Sequence, residues 1–123
     1  MLLRACLLSV LLVLAASVSF AAEGQKPKYD LSQFKSIAEE TLKLVSEKSY
    51  PAAEKKIVEL EDKWDEGTKP LKAADRKVWT VIDKQMDAAI EAVKACKDDT
   101  GAVKATKEIN NFISKLKDGE QVK

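Results

Sequence analysis

The sequence predicts an all-α protein: a small up-and-down four-helix bundle made of two αα-hairpins, following a cleaved N-terminal signal peptide. Three observations predict it. Four segments carry apolar residues at helical spacing, and no segment alternates apolar and polar residues as a half-buried strand does. The breaks between segments are short, so consecutive helices must run antiparallel. Four amphipathic helices can then bury their apolar faces only by closing on one another.

The leader comes first. Arg4 precedes an uncharged run through Leu7, Leu8, Val10, Leu11, Leu12, Val13 and Leu14, which closes on Ser19-Phe20-Ala21. A basic start, an apolar middle and small residues where a processing peptidase reads are the parts of a secretory signal. Cleavage is expected after Ala21, which places the mature product in a periplasm or outside the cell. A retained anchor is the alternative, because the uncharged stretch from Ala5 to Ala22 approaches the roughly 18 to 20 residues that span a bilayer. That stretch thins into Ala15, Ala16, Ser17 and Ser19 and has no flanking cluster of Lys or Arg, which favours cleavage. Cys6 lies ahead of the apolar run and so is not the modified Cys of a lipoprotein.

The organisation read from the chain is a signal peptide over 1–21, a linker over 22–30, a bundle domain over 31–117 and a frayed tail over 118–123. The first helix spans about Leu31 to Lys48. Asp30 can cap it with Gln33 reaching back, and Leu31, Phe34, Ile37, Ala38, Thr41, Leu42, Leu44 and Val45 form its stripe. Ser49-Tyr50-Pro51 stops it and starts the second, since Pro suits a first helical turn. The second helix, to Glu66, buries Ala53, Ile57, Leu60 and Trp64 and stops at Gly67, which tolerates the left-handed conformation at helix ends. Thr68-Lys69-Pro70 opens the third, expected as one continuous helix from Leu71 to Lys97 with Leu71, Val78, Ile82, Met86, Ala89, Val93 and Cys96 inward. Asp98-Asp99-Thr100-Gly101 is a capped turn. The fourth helix, Ala102 to Lys117, buries Ala102, Ala105, Ile109, Phe112, Ile113 and Leu116.

A faint repeat runs through this plan. At an offset of 52 residues, Ala53, Ile57, Leu60, Trp64 and Gly67 fall on Ala105, Ile109, Phe112, Leu116 and Gly119. Phe34, Ile37, Ala38, Thr41 and Leu44 likewise fall on Met86, Ala89, Ile90, Val93 and Cys96. Two hairpins of equal loop length would match partly in this way without common descent, and no function is read from the match.

Charge narrows the partners. Of the 123 residues 33% are charged, and loss of Arg4 with the leader leaves equal numbers of basic and acidic groups. A nucleic-acid or anionic-membrane binder needs an excess of Lys and Arg on one face, so neither partner is expected. The sequence has no histidine. That removes the usual general base, the usual partner of a Ser or Cys nucleophile and the commonest metal ligand. Haem attachment through Cys-x-x-Cys-His, Glu-x-x-His di-iron sites and Cys/His zinc sites go with it. No catalytic set and no cofactor are expected.

What remains is a short set of candidates. Glu61, Asp62, Asp65 and Glu66 on the second helix could ligate a hard cation, as could the column Asp83, Asp87 and Glu91 on the third. The column on the third helix is interleaved with Lys77, Lys84 and Lys94 as a solvated helix face is, and neither cluster has the Gly-containing calcium loop. Trp64 lies in the core stripe. Trp79 lies at its stripe's margin, beside Asp75 and Asp83, and is the candidate ligand or partner surface. Cys96 is the one Cys left after cleavage, which excludes an internal disulfide. It could bridge two copies into a homodimer, although its place on the inner stripe favours a buried thiol. The expected function is therefore that of an exported, non-catalytic helical module that binds a protein partner or a small ligand. A carboxylate-based metal binder is the alternative.

Overall fold

The computed structural model describes residues 27–123, and within them the chain is helical with no strand. The expected leader and its cleavage site lie outside the described residues. No helix among those described is long and apolar enough to cross a membrane.

Among the described residues six helical segments follow one another: α1 (Ser32–Ser46), α2 (Tyr50–Ile57), α3 (Glu59–Gly67), α4 (Lys69–Ala74), α5 (Arg76–Lys94) and α6 (Asp99–Glu120). α2 and α3 form the expected second helix with a one-residue hitch. Val58 keeps helical dihedrals (φ −69°, ψ −14°), but Glu61 N–H closes a tighter bond to the Val58 carbonyl at 3.0 Å.

The third helix departs from expectation. Leu71 to Ala74 belong to the short α4, and the chain turns sharply at Asp75 (φ −148°, ψ 87°), whose carboxylate accepts from Val78 N–H at 3.1 Å and caps α5. Leu71 and Val78 are seven residues apart and stay in register with a single helix, so the apolar pattern is silent about the break. The capping signal was present in Asp75 itself.

The start of α1 also differs. Its cap position is Leu31, and the Asp30 carboxylate accepts from Ser32 N–H at 3.0 Å. Leu31 N–H donates instead to Glu120 Oε2 at 3.0 Å, at the far end of α6, and Glu120 also pairs with Lys35. The expected frayed tail is therefore helical through Glu120 and docked, with Gly119 buried. At the other end of α1, Ser49 N–H bonds the Leu44 carbonyl at 2.9 Å and Lys48 N–H the Val45 carbonyl at 3.0 Å. This is the paired C-terminal closure that calls for a left-handed residue, and Lys48 supplies it at φ 62°. A side chain is strained there. Lys48→Gly is expected to stabilise the protein by about 0.5–1 kcal/mol, read as a higher urea midpoint, because the Lys48–Asp99 pair it removes is largely exposed.

One apolar core joins the segments, with Phe34, Ile57, Leu60, Trp64, Leu71, Ile82, Val93, Ile109, Phe112 and Leu116 each 2% exposed or less. α1 packs on α2, α3 and α6, and α5 on α6, α2 and α4. The pairs Leu31–Glu120 and Lys48–Asp99 set α1 and α6 side by side in opposite directions. Among the positions matched at the 52-residue offset, Ala53, Ile57, Leu60 and Trp64 are as deeply buried as Ala105, Ile109, Phe112 and Leu116, whereas Leu44 and Gly67 are half-buried where Cys96 and Gly119 are buried.

Glycine 67 ends α3 as expected, but for a different reason, since no glycine among the described residues has positive φ. A Cβ at Gly67 would lie 2.6 Å from Phe34 Cζ and 2.9 Å from Gln33 Nε2. It is the space, not the backbone angle, that requires glycine here.

Candidate functional site

The tight turn after α1 carries Lys48 and Tyr50 to the first turn of α6, which the Asp98 carboxylate caps by accepting Gly101 N–H at 2.9 Å. Asp99 meets both. The Tyr50 hydroxyl donates to Asp99 Oδ1 at 3.1 Å, and Lys48 Nζ lies 3.5 Å from Asp99 Oδ2. Beside them opens a shallow notch of about 350 Å³, with Val45, Ala102 and Val103 supplying its apolar wall. Val103 is 74% exposed, one of two large hydrophobic residues so displayed among those described. Partial burial, followed by the bond to Asp99, pushes the Tyr50 hydroxyl above its usual range, so it remains a proton donor. An apolar wall edged by an ammonium, a carboxylate and a protonated phenol is suited to holding a small group with one polar end.

Trp79 is engaged elsewhere than expected. It is half-buried, its ring stacks on Trp64 with centroids 6.3 Å apart, and the Lys72 ammonium sits 4.3 Å from its centroid. Its indole N–H donates at 2.8 Å to the hydroxyl of the buried Thr68, which itself donates to the Trp64 carbonyl at 2.6 Å. The residue read as a partner surface thus ties α5 to the α3–α4 junction, with its polar handle turned inward.

The four carboxylates of the second helix do not converge. Glu61 faces Lys94 at 3.7 Å and Glu66 faces Lys69 at 3.2 Å, while Asp62 and Asp65 are exposed. Among the described residues no three acidic or thiol groups gather closely enough to hold a metal ion. The candidate ligands Glu61, Asp62, Asp65 and Glu66 are therefore not brought together in this structure. Helical spacing put side chains on one face, but neighbouring lysines drew Glu61 and Glu66 aside and left Asp62 and Asp65 exposed.

The column on α5 is electrostatically crowded. Partial desolvation, then Asp83, Glu61 and Glu91, raise the Asp87 carboxyl above its ordinary range. Its ionised form is therefore held less well folded than unfolded. The penalty is absent below the unfolded carboxylate range and complete once pH exceeds the folded value. Asp87→Asn is expected to raise the melting temperature slightly at neutral pH and low salt, by less than about 0.5 kcal/mol because the side chain is exposed. The gain should fade as pH is lowered through the carboxylate range and as salt is added.

Cys96 is 1% exposed, with Sγ 3.8 Å from the Asp98 carbonyl. Burial, aided by the Asp98 charge, pushes the thiol up. A bridge between two copies through this sulfur would require the α5–α6 turn to open, so the disulfide reading gives way to the buried one. Ellman's reagent is expected to leave Cys96 untouched in the native protein and to label it in denaturant.

Fold and notch together define a small helical module with a half-apolar recess beside one inter-helix turn. Comparison with known proteins finds no matching family model, no matching curated protein and no matching solved structure. The sequence offered little access to the notch. Tyr50 and Asp99 are 49 residues apart, and only Val103, an apolar residue off the buried stripe of α6, signalled it.

Proposed function

We propose that this chain is an exported, non-catalytic binding module. In this reading the leader is cleaved after Ala21, the two hairpins α1–α3 and α5–α6 close into an up-and-down four-helix bundle, and the mature protein works in a periplasm or outside the cell. It holds a protein partner or small ligand at the notch between the end of α1 and the start of α6. The observation that carries the reading is the recess itself, an apolar wall of Val45, Ala102 and Val103, the last at 74% exposure, set beside the polar groups of Lys48, Tyr50 and Asp99. The neutral mature charge and the absence of histidine support holding over bond-making.

Native mass spectrometry of the protein taken from its own host tests both parts. The polypeptide mass should correspond to a chain beginning at Ala22, and the native species should carry added mass that Val103→Glu removes without changing the far-ultraviolet circular dichroism. An unprocessed mass would refute the export reading, and a native species with no added mass would refute the binding one.

A further inference from the structure

Helix α5 and the two residues after it carry two seams, apolar except at Gln85. The inner one, Ile82, Met86, Ala89, Val93 and Cys96, is buried in the core at 4% exposure or less. Beside it runs an outer seam at alternating steps of three and four residues: Val78, Val81, Gln85, Ala88, Ala92 and Ala95. That is the spacing at which one helix meets another. α6 covers one flank, where Gln85 donates to the Glu108 carbonyl at 3.1 Å, but the two ends of the seam differ in relief. Near the start of α5 it stands proud, with Val81 50% exposed between Lys77 and Lys115. Near the end it sinks, where Ala88, Ala92 and Ala95 face Gly101 across a hollow of about 420 Å³ rimmed by Glu91, Lys104 and Glu108.

We propose that this outer seam is the contact surface of a two-fold homodimer, in which α5 packs antiparallel on α5 of a second copy and each Val81 seats in the other's alanine hollow. Shape favours that occupant. An antiparallel register that sets Val78 against Ala95, Val81 against Ala92 and Gln85 against Ala88 matches a larger residue to a smaller one at every step. Because the surface is complementary to itself, one two-fold operation satisfies both copies. Charge favours the same direction. Lys77, Lys84 and Glu91 follow one another at seven-residue spacing along the free edge of α5, and among the described residues none has an ion-pair partner. Antiparallel packing brings Lys77 and Lys84 of one copy towards Glu91 of the other, whereas parallel packing would set like against like. The surface lies on the opposite flank of α6 from the α1–α6 notch, so the two proposals stand or fall separately.

Sedimentation equilibrium of the purified protein over a range of concentrations tests it. The wild type should dimerise reversibly with no need for an oxidised thiol. Val81→Lys should raise the dimer Kd by about tenfold or more while circular dichroism and melting temperature hold, as expected for loss of a central apolar anchor. Lys84→Glu and Glu91→Lys, both at exposed positions, should each weaken the dimer severalfold, and the two together should restore it, since the reversed pair again attracts across the axis. A wild type that stays monomeric at every concentration would overturn the proposal. So would a dimer indifferent to Val81→Lys, or a double charge reversal no tighter than the single ones.

Discussion

Replacing Trp64 with alanine is expected to destabilise the protein by about 3–5 kcal/mol, a large share of the roughly 5–15 kcal/mol that holds a domain of this size folded. The indole is 2% exposed and sits where three elements converge, with ring centroids 5.1 Å from Phe34 on α1, 6.1 Å from Phe112 on α6 and 6.3 Å from Trp79 on α5. Truncation leaves a cavity walled by aromatic rings that are themselves fixed by their helices and cannot collapse into it. Urea denaturation followed by circular dichroism reads the loss. Trp64→Phe should cost much less, about 1–2 kcal/mol, for a reason beyond its smaller cavity. The Trp64 indole N–H is buried without a hydrogen-bond partner among the described residues, and such an orphan costs about 1–3 kcal/mol. Phenylalanine removes the orphan along with the volume. If the two variants proved equally damaging, the convergence of rings around Trp64 would not be what stabilises the core.

Gly67→Ala carries the second large effect, an expected loss of about 1–3 kcal/mol from overpacking, although alanine is ordinarily the better helix former by about 1 kcal/mol. The added methyl meets the tip of Phe34, which is fully buried and held edge-on against Trp64. Its counterpart in the second hairpin gives the control. At Gly119 the nearest atoms are Ile82 Cδ1 at 2.7 Å and Leu31 Cδ1 at 3.0 Å, the far ends of flexible side chains. Ile82 and Leu31 are themselves 1% exposed, so Gly119→Ala should also cost stability, but less than Gly67→Ala, because an aliphatic tip can change rotamer where the Phe34 ring cannot. Thermal melts of the two variants, compared side by side, check the contrast. Equal losses at both positions would refute the rigidity argument.

Helical class and core were legible because they follow from periodicity, which is local. The stripes through Phe34, Ile57, Leu60, Trp64, Ile82, Ile109, Phe112 and Leu116 are the buried residues of the structure. What periodicity cannot register is a change of direction that keeps phase, which is why the turn at Asp75 was missed between Leu71 and Val78. Pairings across long stretches of chain were likewise illegible. Glu120 bonding Leu31 and Tyr50 bonding Asp99 follow from how the helices lie on one another, and no local pattern encodes them. The candidate sites divide on the same line. Trp79 lies on its helix as expected, whereas Cys96, read as helical, falls just past the end of α5 at Lys94, and the roles of both depend on Thr68 and Asp98, residues supplied by the junctions. Glu61, Asp62, Asp65 and Glu66 share a segment, but lysines from α4 and α5 decided where two of them turned.

The bond between Leu31 and Glu120 joins positions 89 residues apart. A polypeptide made or threaded from its amino end cannot form it until the last turn of α6 has emerged, so α1 stays unlatched for the whole of that passage. The hairpin of α5 and α6, whose contacts are near neighbours in sequence, can assemble ahead of it. Closure of the ring through Glu120 makes the emergence of the end of α6 the event that latches α1.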